Sequence, residues 1–404
     1  ESGSREDDRL LRDAGGGVMN SPLQVEAPSW KTEDLRIFED GVAKFLEREA
    51  VPNAEKYLKN HQVDRALWNK AGEAGLLCTE IPEEYGGAGG SFAHDAIIAE
   101  QLGRLGVDGW GVVLHNGIVA PYVLHYGSEE QKKRWLPRLA TGELVGAIAM
   151  TEPGTGSDLQ GVKTTALKDG NHYAINGNKT FITNGGTANF IIVVAKTDPT
   201  QGSRGISLVC VETDQVEGFR RGRILDKIGQ KANDTAELFF DNVRVPAENL
   251  IGMDEGRGFV HLMQQLPQER LIIAVQAMAV IERALSETIA YVKDRKAFGK
   301  QLIEFQNTQF KLAECKTEAT VAKVFVNHCV ALHLEKKLDA TMASMAKLWL
   351  SDLQCKIVDE CLQLFGGYGY MNEYPIARMY ADSRVQRIYG GTNEIMKLLI
   401  SRSL

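Results

Sequence analysis

The 404-residue chain lacks any apolar run of about eighteen residues, the length that crosses a bilayer as a helix, so no membrane span is expected. It has no CxxC pair among its six cysteines (Cys78, Cys210, Cys315, Cys329, Cys355 and Cys361), which removes the usual zinc-ribbon and dithiol motifs and any metal site built on them. Most of these cysteines sit in apolar, helical-looking stretches where a thiol behaves as a small buried hydrophobe, so reduced cysteines and a reducing compartment are expected. An excess of positive charge is missing as well. Lys and Arg number 46 against 53 Asp and Glu, a net charge of -7 with the signs interleaved, which offers no field for nucleic acid. No G-x-G-x-x-G follows a first strand and no G-x-x-x-x-G-K-[ST] occurs, so nicotinamide and P-loop chemistry lose their best signatures. The opening ESGSREDDRLLRDAGGG has no apolar core of a secretory signal.

What is present is the composition of a globular protein, 44% hydrophobic and 25% charged, long enough for two or three domains. Residues 1–29 read as a disordered tail or tag remnant, with Met19 a natural start. Over 30–145 the pattern is helical: Leu35, Phe38, Val42, Phe45 and Leu46 recur at spacings of three and four, one buried face of a helix. The glycine-rich EEYGGAGGSF (83–92) breaks that region with a loop. Over 146–255 the period changes to short β-branched runs such as FIIVVAKT (190–197) and GISLVCVE (205–212), separated by Gly, Asn and Asp turns. Helical spacing returns over 256–404, in long segments at 259–293, 306–336 and 340–365. Strands and helices are segregated rather than alternating, which argues for a mainly α chain with a central β-domain and against a doubly wound sheet.

Five constellations could carry chemistry, each with a plainer reading beside it. AIAMTEPGTGSD (147–158) is a strand running into a turn whose N–H groups and hydroxyls can meet a ligand with no Cβ in the way; Pro and Gly also end strands everywhere. NKTFITNGG (178–186) sets Phe181 beside Thr183, an aromatic to stack on a flat ring and a hydroxyl for its edge, although a strand Phe is more often core. LPQERLIIA (266–274) puts Glu269 in a strongly apolar helical stretch, where burial raises a carboxyl toward the range a general base needs; an ion pair with Arg270 or a solvated helix edge is the alternative. DRKAFGK (294–300) offers Arg295 to a pyrophosphate or only to a helix dipole. QLFGGYGY (363–370) and IYGGTNE (388–394) allow close backbone approach to a cofactor or another subunit.

As an ordered set over about 30–404, MTEPGTGSD, FITNGG, DTAELFFDNVRVP, RKAFGK, LFGGYGY and IYGGTNEI resemble the acyl-CoA dehydrogenase family. The resemblance implies an N-terminal helical domain (30–145), a middle β-domain (146–255) and a C-terminal four-helix bundle (256–404), assembled as a homotetramer with FAD in each subunit. By position, Met150, Thr151, Ser157, Phe181, Ile182 and Thr183 match the flavin lining; Phe181 stands where relatives often carry Trp. Arg295, Gln306, Gln363, Gly366 and Gly367 match contacts to a neighbouring subunit's FAD, Phe298 matches a cofactor contact, and Thr392 and Glu394 match FAD contacts near the last helix. Ser157, Arg270 and Gly391 match substrate contacts.

Many members of the family carry the catalytic glutamate after Tyr in a C-terminal Tyr-Glu-Gly-Thr; here that position is Gly390. A smaller group, long-chain and isovaleryl types among them, carries it in a Glu-Arg pair on the first long C-terminal helix, which Glu269 matches. The implied reaction is removal of the acyl-CoA α-proton by Glu269 and passage of the β-hydride to flavin N5, giving the trans-2-enoyl-CoA, with electrons then handed to electron transfer flavoprotein. The pathways this implies are fatty-acid or branched-chain amino-acid catabolism. The implied location is the bacterial cytoplasm, or the mitochondrial matrix for a eukaryotic source. The rival readings are a flavin monooxygenase of the same superfamily, which normally lacks the base, and a non-catalytic flavin-binding protein.

Overall fold

The computed structural model describes residues 21–404. The expected tail over 1–29 therefore lies mostly outside the described residues, and its last part departs from the expectation. Leu23 is buried and Val25 packs beside it against the C-terminal helices, because two apolar side chains docked on an apolar surface gain more than they would in water.

The N-terminal helices are α1 (Glu33–Glu49), α2 (Ala54–Asn60), α3 (Arg65–Glu73), α4 (Phe92–Leu105), α5 (Ala120–Tyr126) and α6 (Glu129–Ala140). Thr32 caps α1 by accepting from the Leu35 N–H, and the face expected from spacing buries Leu35, Val42, Phe45 and Leu46, with Phe38 packed at its margin. The 83–92 glycine stretch is a single turn and a loop into α4; a Cβ on Gly87 would lie 2.1 Å from the Ile81 carbonyl oxygen, so the approach requires glycine. Between α4 and α5 the chain passes through a π-helical segment, His115–Val119.

The middle region is one seven-stranded sheet: β1 (Gly146–Ala149), β2 (Thr165–Asp169), β3 (His172–Ile182), β4 (Phe190–Lys196), β5 (Ile206–Glu212), β6 (Phe219–Ile224) and β7 (Ala236–Pro246). The path runs β1-β4-β2-β3-β7-β6, with β5 antiparallel on β4 and β1 parallel to it. β4 and β5 are covered on both faces and so read as unbroken apolar runs, whereas β3 alternates in burial because one face is wet. Register shifts between Lys179 and Ile182 on β3 re-aim the end of that strand.

The C-terminal helices are α7 (Gly258–Asp294), α8 (Gln306–Leu334), α9 (Ala340–Phe365), α10 (Pro375–Ser383) and α11 (Asn393–Ser401). α7, α8, α9 and α11 form the bundle. α8 faces it with Leu312, Cys315, Ala319, Ala322, Val326 and Cys329, an alternating three-and-four seam. α7 is buried on nearly every side from Leu271 to Leu285 because α4 covers the flank that α8 and α9 leave open. All six cysteines are free. Among the described residues no helix is long and apolar enough to cross a membrane.

The turn at 108–111 stitches the three regions together. Gln230 Nε2 donates to Asp108 Oδ2 (3.3 Å), Gln276 Nε2 to the Asp108 carbonyl (3.5 Å), and Asn184 Nδ2 to the Gly111 carbonyl (3.1 Å). The end of β3 is thereby tied to α7 about two turns from Glu269.

Candidate active site

The turn after β1 is built around a buried charge. Glu152 accepts from the Lys163 and Thr164 N–H groups (2.7 and 2.9 Å) and from Lys179 Nζ (2.9 Å); Lys179 also donates to the Met150 and Val194 carbonyls (3.0 and 2.7 Å). A buried lysine survives only if so saturated; burial still pushes Lys179 down to about 8, while Glu152, despite its desolvation, is held below the usual carboxylate range by Lys179 and its other donors. The Thr180 N–H bonds the Thr151 carbonyl (3.0 Å), so Met150 and Thr151 lie beside Phe181, Ile182 and Thr183 as the motifs require. Phe181 is 67% exposed and at φ +59°, turned out of the sheet where a core Phe would be turned in; Ile182 is buried, Thr183 half-buried and Ser157 exposed.

Glu269 lies on α7, two residues after Pro267, which has no N–H to give the Met263 carbonyl. It is 4% exposed, so it is not a solvated edge, and no ion pair joins it to Arg270 among the described residues. Its partner comes from another helix: Tyr122 Oη on α5 donates to Glu269 Oε1 at 2.9 Å. Burial raises the carboxyl to about 7, against the smaller opposing pulls of Tyr122 and Arg270. The Tyr122 phenol is itself held well above its ordinary value by burial and by Glu269, so it stays a donor.

Arg270 donates to Ser344 Oγ (3.3 Å), and its buried Nε has no partner among the described residues. Nearby, Lys347 on α9 donates to the Gly391 carbonyl (2.7 Å) and Asn393 Oδ1 (2.9 Å); burial, then Arg270, pushes it down to about 8. These bonds fix the glycine turn before α11, where Thr392 caps the helix and exposed Glu394 occupies its first turn. A Cβ on Gly390 would stand 2.5 Å from Ile273 Cδ1, and one on Gly391 about 4.0 Å from Arg270 Nη2. Position 390 therefore faces α7 at Ile273, one helical turn beyond Glu269.

The remaining motif residues gather elsewhere. The Arg295 guanidinium lies over the Tyr368 ring (5.4 Å), Tyr291 stacks on Phe365 (4.2 Å), and Phe298 meets Phe305 edge-on (6.2 Å), which collects Arg295, Phe298, Gln306, Gln363, Gly366 and Gly367 at one end of the bundle. Phe298 is almost fully exposed, and added Cβ atoms on Gly366 or Gly367 would meet nothing within 4 Å. Along α7, Arg295 is 26 residues from Glu269, roughly 39 Å at the helical rise. This group therefore sits far from its own chain's Glu269.

Tyr122, Lys179 and Lys347 are buried polar groups not anticipated from the sequence; for Tyr122 and Lys347 a phenol or a charge within a largely apolar helical stretch was the available signal, whereas Lys179 lies among Asn178 and Thr180 and gave none. Three family models match in order: "Acyl-CoA dehydrogenase, N-terminal domain" over 32–143, "middle domain" over 147–243 and "C-terminal domain" over 256–404. The chain is 52% identical over 370 residues to the long-chain specific acyl-CoA dehydrogenase, mitochondrial, of Sus scrofa, covering 91% of this chain and 86% of that one. The crystal structure of acyl-CoA dehydrogenase from Geobacillus kaustophilus superposes with a TM-score of 0.91 at 48% identity, covering 93% and 99% of the two chains. A glutaryl-CoA dehydrogenase from Mycobacterium smegmatis solved in complex with FADH2 gives 0.84 at 31%, covering 92% and 94%.

Proposed function

Because the chain belongs to the acyl-CoA dehydrogenase family, whose members are oxidoreductases acting on CH–CH groups of acyl-CoA thioesters, we propose that Glu269 is the base that takes the substrate α-proton. The observation that carries this reading is a carboxyl sealed from water, raised to about 7, and gripped by one neutral donor. Such a group is ionised often enough near neutral pH to accept a proton and basic enough to hold it. Gly390 supplies no competing carboxylate on the facing turn.

FAD fits the residues present. Phe181 offers an outward aromatic face, Met150, Thr151 and Thr183 line the same strand end, and the open backbone of Gly366 and Gly367 beside Arg295 can meet a pyrophosphate. When bound, FAD supplies the acceptor for the β-hydride. The residues of this chain bind the thioester, orient the Cα–Cβ bond and exclude water, with Ser157, Arg270 and Gly391 the proposed substrate contacts. The roughly 39 Å between Arg295 and Glu269 supports a role for Arg295, Phe298, Gln306, Gln363, Gly366 and Gly367 at a neighbour's cofactor, which would link flavin binding to assembly. The assembly we propose is the homotetramer that the family resemblance implies. Thr392 and Glu394 are proposed contacts to the chain's own FAD. The acceptor we assign is electron transfer flavoprotein, and the substrate a long-chain acyl-CoA, supported by the likeness to the long-chain specific relative.

Anaerobic titration of the purified protein with saturated acyl-CoAs from butyryl to stearoyl, and with isovaleryl-CoA, tests this. Flavin bleaching that is strongest with the longer chains is expected. Bound flavin that no thioester bleaches would overturn the reading in favour of a monooxygenase or non-catalytic branch.

A further inference from the structure

We propose that Tyr122 is the positioning residue of the reaction: its hydroxyl, delivered to α7 by the π-helical segment ahead of α5, fixes the Glu269 carboxylate and favours its charged form. The inference rests on the reading of Glu269 as the base. It starts from a backbone irregularity. A π-turn inserts a residue into a helix, rotates everything after it and leaves a carbonyl without its usual partner. The Gly117 carbonyl within it, which can expect no N–H from Pro121 four residues on, accepts from Gln268 Nε2 at 3.0 Å, so the residue just before the base is bonded to the irregularity. Five residues on, Tyr122 is completely buried and reaches Glu269 Oε1 at 2.9 Å. Two consecutive residues of α7 thus meet the π-helical segment and the helix that follows it, and the base cannot turn about its χ angles without losing the phenol.

The groups around Glu269 leave Tyr122 as its only hydrogen-bond donor among the described residues. On α5, His125 Nδ1 is engaged with Gln265 Oε1 (3.1 Å), and Tyr126 stacks on His261 (4.1 Å). From the turn before α4, Glu80 accepts from Gln268 Nε2 at 3.3 Å. On α7 itself Arg270 is turned to Ser344, with Lys347 of α9 beyond it. A hydrogen bond to the charged form favours that form, so removing the hydroxyl raises the Glu269 proton affinity and moves the acid limb of the rate profile to higher pH.

The test compares kcat/KM against pH for the flavin-loaded wild type and Tyr122→Phe, which keeps the ring and its packing. The acid limb is expected to rise by about one pH unit, with about tenfold lower activity below it and recovery above it. Flavin content should be unchanged. A limb that does not move, or a loss equal at every pH, would overturn the proposal, since a merely structural tyrosine would give the latter. If Tyr122→Phe does not fold, difluorotyrosine placed at 122 is the second probe: a more acidic, stronger donor should lower the limb, and an unmoved limb refutes the idea equally. Glu269→Gln separates the two levels. If it retains turnover, the base reading itself has failed; if it is inactive while the Tyr122→Phe limb stays put, only the positioning role has.

Discussion

Replacing Glu269 with Gln should make the protein more stable in alkaline solution while removing its activity. Glu269 is buried and its carboxyl rises from 4.5 to about 7 in the fold, so the native state holds a proton that the unfolded chain releases. Between those two values each rise in pH therefore draws the protein toward unfolding: the neutral acid is comfortable in its apolar seat, and its ionisation there is opposed. Roughly 2.5 pH units at about 1.4 kcal/mol each place the full penalty near 3.5 kcal/mol well above pH 7, and under about 1 kcal/mol near pH 5. A glutamine has the same shape, never ionises, and still offers Oε1 to the Tyr122 hydroxyl, so the penalty vanishes without a cavity. Urea unfolding of both flavin-saturated proteins at about pH 5 and about pH 8 reads this directly. The midpoints should nearly coincide at the lower pH and separate at the higher, with the variant above the wild type. Equal midpoints at both values, or a variant less stable at the higher one, would show that Glu269 is solvated or paired in solution and would remove the physical basis for its role as base.

The Glu152–Lys179 pair makes a stability prediction of opposite sign: Lys179→Met strands the Glu152 carboxylate in the interior and should cost about 3–5 kcal/mol by urea unfolding, with weaker flavin retention as the 150–158 turn loosens. A cost below about 1 kcal/mol would mean that the two N–H donors alone hold that turn. Phe181→Ala should leave the stability of the flavin-free protein within about 0.5 kcal/mol, because the ring is mostly exposed, yet raise the flavin dissociation constant; an unchanged constant removes Phe181 from the lining. Arg295→Ala should lower flavin content and tetramer content together in gel filtration with absorbance at the flavin band, and a normal flavin content would sever Arg295 from the neighbour's cofactor.

Local periodicity was enough to write down most of the architecture. Residues 259–293, 306–336 and 340–365 became α7, α8 and α9 almost end to end, because a helix face repeats every three or four residues whatever it packs on. The β-branched, apolar runs of β4 and β5 announced strands, and the structure shows both covered on their two faces. Glu269 could be singled out from its apolar neighbours and its Glu-Arg pair. What the chain could not disclose is whether that carboxyl is paired, solvated or sealed. That depends on α5 and α7, whose contact joins residues 147 positions apart, and on a π-turn that no spacing rule signals. Leu23 looked like tail because three residues around an isolated leucine carry no period, and only the bundle surface it covers gives it a place. The motifs lie along the chain as one ordered set, yet α7 separates Arg295 from Glu269 by roughly 39 Å, since a rigid helix adds about 1.5 Å per residue. Composition and period determine which elements form; desolvation, hydrogen-bond partners and distance between motifs are sums over neighbours remote in sequence, and the tertiary structure alone supplies those neighbours.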